Sequence, residues 1–259
     1  IADPERWRGV PLPVLVRALL MELGRHYAVI DIFEVYTNPA DNRTHSKNPY
    51  ICERGVKDIF ASQRLLPIIQ ADTVSEGIEV TNAMKEAGLT VVEVVLRNEQ
   101  ALTLAKEIKS TFPELVLGVG TVYNVDILDK ALNAGADFIV TPATTPKLTQ
   151  ALINCGKPIL PGVSSLSDMA TMLENGVTEM KLFPAEVVGG ISLLKAVSSL
   201  FPEASFCPTG GVTQANLGNY LSLPNVFAAG GTYMVPKTAV QQKQWAEITQ
   251  ACKDAIAVC

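Results

Sequence analysis

In the segment Thr178-Glu-Met-Lys-Leu-Phe-Pro184 a lysine stands among alternating apolar residues. Read as a strand, the segment sends Met180 and Leu182 to one face and Glu179, Lys181 and Phe183 to the other. A lysine aimed into an apolar interior costs several kcal/mol if it stays charged and unpaired. Burial therefore favours the neutral amine, the nucleophile that forms a Schiff base with a carbonyl. The competing reading is a lysine that reaches up to a salt bridge at the rim, and burial logic alone weighs the two equally.

A second strand bears on that choice. In Val91-Val-Glu-Val-Val-Leu-Arg97 a period of two puts Val91, Glu93, Val95 and Arg97 on one face. A carboxylate sharing an interior with Lys181 suits proton shuttling while an iminium forms, or proton abstraction from the carbon beside it. Arg97, near the strand's end, suits two-pronged binding of a substrate carboxylate. A purely structural Glu93–Arg97 pair is the alternative, and Glu99 is a rival partner for Arg97. Two double glycines follow, in Pro208-Thr-Gly-Gly211 and Ala229-Gly-Gly-Thr232. Small residues at strand ends leave backbone amides open to a phosphate. Tight turns alone would also use them.

These groups need a frame that brings distant strands to one interior. From about Ser62 onward, short apolar runs alternate with segments of helical period. Strands are predicted over Leu65–Gln70, Thr90–Arg97, Leu115–Thr121, Asp137–Pro142, Pro158–Gly162, Thr178–Phe183, Ser205–Thr209 and Val226–Gly230. Helices are predicted between them, including Val74–Ala87, Glu99–Phe112, Val125–Ala134, Pro146–Cys155, Leu166–Asn175 and Ile191–Phe201. Gln214–Leu221 and a long Ala239–Val258 complete the helical set. Gly88, Gly135, Gly156 and Gly176 each follow a helical run, where a left-handed terminating residue belongs. Ser164 to Asp168 offers acceptors for the free amides of a first turn.

Eight such units, about 22–25 residues apart, predict an α/β fold, a closed (β/α)8 TIM barrel over residues 51–259. An open doubly wound sheet would favour a Gly-rich turn after the first strand, and Gln70-Ala-Asp-Thr is not one. Residues 1–50 lack the rhythm and are expected to form an N-terminal extension of unassigned role.

Composition narrows the chemistry further. Of 259 residues, 48% are apolar and 18% charged, enough for a sizeable core and too apolar for disorder. A net charge of −5 argues against a nucleic-acid surface. The apolar stretch from Pro11 to Leu20 is too short to span a bilayer, so a soluble, cytoplasmic protein without membrane contact is expected. Five cysteines without a CxxC pair suggest neither a disulfide framework nor a zinc site. The two histidines, His26 and His45, both precede residue 50. The rhythmic part therefore has no histidine for a metal or for a Ser-His or Cys-His nucleophile, and an inward lysine would supply the electron sink.

From about Ser62 to Val258 the chain resembles the 2-keto-3-deoxy-6-phosphogluconate (KDPG) aldolase / 4-hydroxy-2-oxoglutarate (KHG) aldolase family. The motifs, in family order, are Glu93-Val-Val-Leu-Arg97, Gly118-Val-Gly-Thr-Val122, Thr141-Pro-Ala143, Lys181-Leu-Phe-Pro-Ala-Glu186, Pro208-Thr-Gly-Gly211 and Gly230-Gly-Thr-Tyr233. The resemblance implies a class I aldolase with Lys181 as Schiff-base lysine and Glu93 as general acid/base. It implies that Arg97, Thr121, Pro142 and Phe183 bind the pyruvyl part, and Gly210, Gly211, Gly231 and Thr232 the phosphate. The implied reaction cleaves KDPG to pyruvate and glyceraldehyde 3-phosphate, the Entner-Doudoroff step, with no metal or other cofactor, in a cytoplasmic homotrimer. The alternatives are a preference for KHG or for the galactonate epimer, or a non-catalytic barrel that binds a phosphorylated metabolite. Thr141-Pro-Ala143 and Thr232 depart from the commoner Ser-Pro-Gly and Ser, and Gln70 stands where some members carry a basic residue.

Overall fold

The computed structural model describes residues 55–259; the expected extension, with His26 and His45, lies outside the described residues. Strands β1 (Leu65–Ile69), β2 (Val91–Val95), β3 (Val116–Gly120), β4 (Phe138–Val140), β5 (Ile159–Leu160) and β9 (Ala229–Gly231) form one sheet, in the order β5-β4-β3-β2-β1-β9. Strands β6 (Gly162–Val163), β7 (Glu179–Leu182) and β8 (Ser205–Phe206) form a second. Every strand pairing is parallel, as helical crossovers between successive strands require. Isolated parallel bridges, Phe206 with Val226 and Thr209 with Gly230, connect β8 to the chain leading into β9. The architecture is a curled parallel α/β sheet.

Alternation along the strands sorts side chains into two layers. Leu65, Val92, Val94, Leu117, Met180 and Leu182 join the helices in the outer core. Leu66, Val91, Phe138, Val140, Leu160 and Cys207 face inward in a separate cluster. A one-turn helix, α1 (Val56–Ile59), was not anticipated. Its Val56, with the following Phe60, packs on that inner cluster, and the Phe60 ring lies 5.9 Å from both Phe138 and Phe227. The Glu179 carboxylate accepts the Lys57 backbone N–H at 2.9 Å, so the lysine-bearing strand is tied to α1.

All eight expected strands are present, with two departures in detail. The fifth divides at Pro161, which has no N–H for the ladder, so β5 pairs with β4 and β6 with β7. The expected Ala239–Val258 helix is two, Lys237–Gln241 and Trp245–Ile256. Lys243 adopts a left-handed backbone (φ 54°), with Gln244 N–H bonded to Ala239 O and Lys243 N–H to Val240 O. That is a helix-terminating motif with lysine in the place usually held by glycine, so no glycine announces it. The four glycines expected to end helices all have positive φ, and Ser165 and Asp168 form a capping box. Among the described residues no helix is long and apolar enough to cross a membrane.

Two residues before β1 hold the strands' N-terminal ends together. The buried Gln63 amide donates to Leu65 O and Val91 O, both at 2.8 Å, and accepts from the Thr90 (2.7 Å) and Val91 (3.1 Å) N–H groups. The Arg64 guanidinium donates to the carbonyls of Leu221, Val226 and Phe227, joining β1 to the approach to β9. Gln63→Ala leaves these buried backbone groups unpaired and is expected to cost about 1–3 kcal/mol in urea unfolding. A loss below about 0.5 kcal/mol would show that the amide is dispensable.

Candidate active site

Lys181 leaves β7 on the inward face and is only 5% exposed. Its Nζ lies 3.7 Å from Glu93 Oε1 and 5.1 Å from the centre of the Phe183 ring. Glu93 belongs to β2 in the other sheet, so this contact crosses the interior. The separation exceeds a hydrogen bond, and neither Glu93 oxygen has a hydrogen-bond partner. Burial pushes the Glu93 carboxyl above its ordinary range, outweighing the attraction of Lys181 and Arg97. A carboxyl so shifted is a stronger proton acceptor than an exposed one, which suits a proton-carrying role. Cys207, wholly buried within reach of both charges, is held as the inert thiol because burial raises its pKa despite Lys181.

The room for Glu93 comes from β3. A Cβ on Gly120 would overlap the Glu93 carboxylate, and one on Gly118 would overlap the Phe138 ring. Both glycines face inward, where a strand glycine marks close approach by another group. The Gly118-Val-Gly120 motif by itself assigns neither glycine a task. The available signal was two glycines at the inward positions of a buried strand, where β-branched residues would be expected.

The remaining expected site residues stand at the C-terminal ends of the strands. Arg97 follows β2, Thr121 β3, Pro142 β4 and Phe183 β7; Gly210 and Gly211 lie beyond β8, and Gly231 and Thr232 at the end of β9. Strand β2 stops at Val95, two residues before Arg97. Its N–H bonds to Val95 O at 2.9 Å, a tight turn, and its exposed side chain lines a groove with Gln70, Asp72, Asn98 and Lys237. Among the described residues Arg97 forms no ion pair with Glu93 or Glu99. Thr121 is half-buried with φ 65°, a left-handed conformation rare for a β-branched residue. It is held between Leu96 N–H to Gly120 O (3.0 Å) and Val122 N–H to Val140 O (3.3 Å). Pro142 is half-buried, with Gly162 fitted against its carbonyl. Gly210 and Gly211 both have φ 89°, Gly231 is buried, and Thr232 is exposed.

An amine and a carboxylate thus share a buried interior. Nucleophilic attack on a carbonyl followed by proton shuttling is chemistry this pairing can perform. Gly120→Ala should displace the Glu93 carboxylate and lower kcat/KM by about 10²-fold or more while the fold is kept. Turnover within about tenfold of the parent would contradict the role given to this glycine.

A family model described as KDPG and KHG aldolase matches residues 56–251. Over 193 residues the chain is 40% identical to the 2-dehydro-3-deoxy-phosphogluconate aldolase of Pseudomonas aeruginosa, covering 74% of this chain and 88% of that protein. The KDPG aldolase of Legionella pneumophila, solved with pyruvate captured as a covalent carbinolamine intermediate, matches with a TM-score of 0.76 at 34% identity. The match covers 78% of this chain and 98% of that one. The Zymomonas mobilis enzyme, solved with 3-phosphoglycerate, has a TM-score of 0.71 at 35% identity, covering 76% and 92% of the two chains. With the family model spanning most of its length, this chain belongs to the KDPG and KHG aldolase family.

Proposed function

We propose that the protein is a class I aldolase that cleaves KDPG to pyruvate and glyceraldehyde 3-phosphate. The observation that carries this reading is the Lys181 amine 3.7 Å from a Glu93 carboxylate that bonds to nothing else, both shut inside the sheet. Lys181 Nζ attacks the C2 ketone of the substrate to give a carbinolamine, and the Glu93 carboxyl protonates the departing hydroxyl so that water leaves. The resulting iminium is an electron sink. Glu93, now a carboxylate, takes the C4 hydroxyl proton; the C3–C4 bond breaks and its electron pair forms the enamine. Glyceraldehyde 3-phosphate departs, the same proton goes to C3, and water adds to the iminium to release pyruvate and the free amine, the proton set free in that hydrolysis returning to the Glu93 carboxylate. Because the lysine serves as the electron sink, the cycle calls for no metal or other cofactor.

Arg97 at the rim holds the keto-acid carboxylate, and Thr121, Pro142 and Phe183 border the pyruvyl part. Gly210, Gly211, Gly231 and Thr232 receive the phosphate. Fixing both ends beside the amine supplies the positional part of the rate enhancement. The bridges of Thr209 to Gly230 and Phe206 to Val226 support a closed (β/α)8 barrel, with the active groups at its C-terminal mouth. Exposed Tyr123, Leu166 and Val187, each close after a strand end, support an apolar contact face for the homotrimer that the family resemblance implies. The composition is that of a cytoplasmic enzyme.

Steady-state turnover on KDPG, its galactonate epimer and KHG tests the reading. KDPG should give the highest kcat/KM, EDTA should leave it unchanged, and Lys181→Met should lower it by at least about 10³-fold. Near-normal turnover by Lys181→Met, or a metal-restorable loss after EDTA, would contradict the mechanism. A higher kcat/KM on KHG or the epimer would reassign the substrate, and no turnover on any of the three would favour a non-catalytic binding barrel.

A further inference from the structure

The turn after β7 and the Gly210–Gly211 turn are fastened together by a residue with no part in the proposed chemistry. Ala185 N–H donates to Thr209 O at 2.8 Å and Glu186 N–H to Gly210 O at 3.1 Å. The Glu186 stem lies directly on Gly211, where a Cβ would overlap it. The carboxylate then accepts a hydrogen bond from the Tyr220 hydroxyl. Tyr220 comes from the short helix Leu217–Leu221 and is fully buried. Gly190 fits beneath the pair, since a Cβ there would stand 2.7 Å from the Tyr220 hydroxyl and 3.2 Å from Glu186 Oε1. From the other side Asn216 Nδ2 donates to Gly211 O at 3.0 Å. The amides of Gly210 and Gly211 themselves donate to no acceptor among the described residues.

This arrangement passes the stem of a carboxylate side chain over Gly211, one of two glycines with unclaimed amides that, on the reading above, receive a phosphate dianion. A free Glu186 would compete for those amides and repel the incoming charge. We propose that Tyr220 is a positioning residue for phosphate recognition. Its hydroxyl holds the Glu186 carboxylate away from the Gly210 and Gly211 amides and keeps the Glu186 stem pressed on Gly211, so that the site favours a phosphorylated substrate. Burial and the neighbouring Glu186 carboxylate both push the Tyr220 hydroxyl pKa up, so it stays a donor throughout the physiological range. The inference rests on the phosphorylated-substrate reading and adds the residues that enforce it.

Steady-state kinetics on KDPG and KHG test it in Tyr220→Phe, Glu186→Gln and the double variant. Tyr220→Phe should raise KM for KDPG by about five- to tenfold, with kcat and the KHG parameters within about twofold. Adding Glu186→Gln, which removes the charge, should return KM for KDPG to near the parent value. A general packing defect would change KDPG and KHG alike and would overturn the proposal, as would an unchanged KM or a failure of Glu186→Gln to rescue. If Tyr220→Phe does not fold, Glu186→Gln alone decides: KM for KDPG should stay level or fall, and a rise overturns the proposal. A parent protein with no preference for KDPG over KHG would instead overturn the phosphorylated-substrate reading itself.

Discussion

A lysine amine and a carboxylate, both withdrawn from water and held 3.7 Å apart, set the terms for the rest of the molecule. Neither group is comfortable there: burial penalises each charge, and the distance is too long for a hydrogen bond to compensate fully. The pair persists because two separate sheets deliver it. Lys181 is fixed by a strand tied through Glu179 to α1, and Glu93 by a strand whose start is gripped by Gln63. Gly120 of β3 then keeps empty the volume the carboxylate fills. A frame that loosened any of these would let the two groups reach water or each other, and the poised state would be lost.

The same logic explains where structural cost is accepted. Apolar layers inside and outside the sheet supply the stability, and the exceptions lie inside β2 and beyond the ends of β3 and β8. Thr121 is held in a left-handed conformation, Gly210 and Gly211 leave their amides unclaimed, and Glu93 and Thr209 keep buried oxygens without partners. Each is unfavourable for folding alone, and on the proposed function Thr121, Glu93 and the two glycines offer a bound keto acid or phosphate something to complete.

Much of this was legible in the chain before any coordinates. Period-two alternation correctly sent Lys181 and Glu93 inward and Met180 and Leu182 outward, because a parallel strand with two buried faces allows no other arrangement. The same period does not say where a strand stops, and β2 ends at Val95, two residues before Arg97. The split at Pro161 was written in the sequence as a residue without an N–H, whereas the break at Lys243 carried no glycine to mark it. The least legible features were contacts between distant strands. That Gly120 yields its side-chain space to Glu93, and that Tyr220 holds Glu186, follow only from three-dimensional packing.

On the proposed mechanism Lys181 acts as a covalent nucleophile inside this interior, with Glu93 as its proton carrier. Borohydride reduction in the presence of pyruvate, followed by peptide mass spectrometry, addresses it most directly. The account predicts a single reduced pyruvyl adduct, on Lys181. No adduct, or one on a different lysine with Lys181 unmodified, would contradict it.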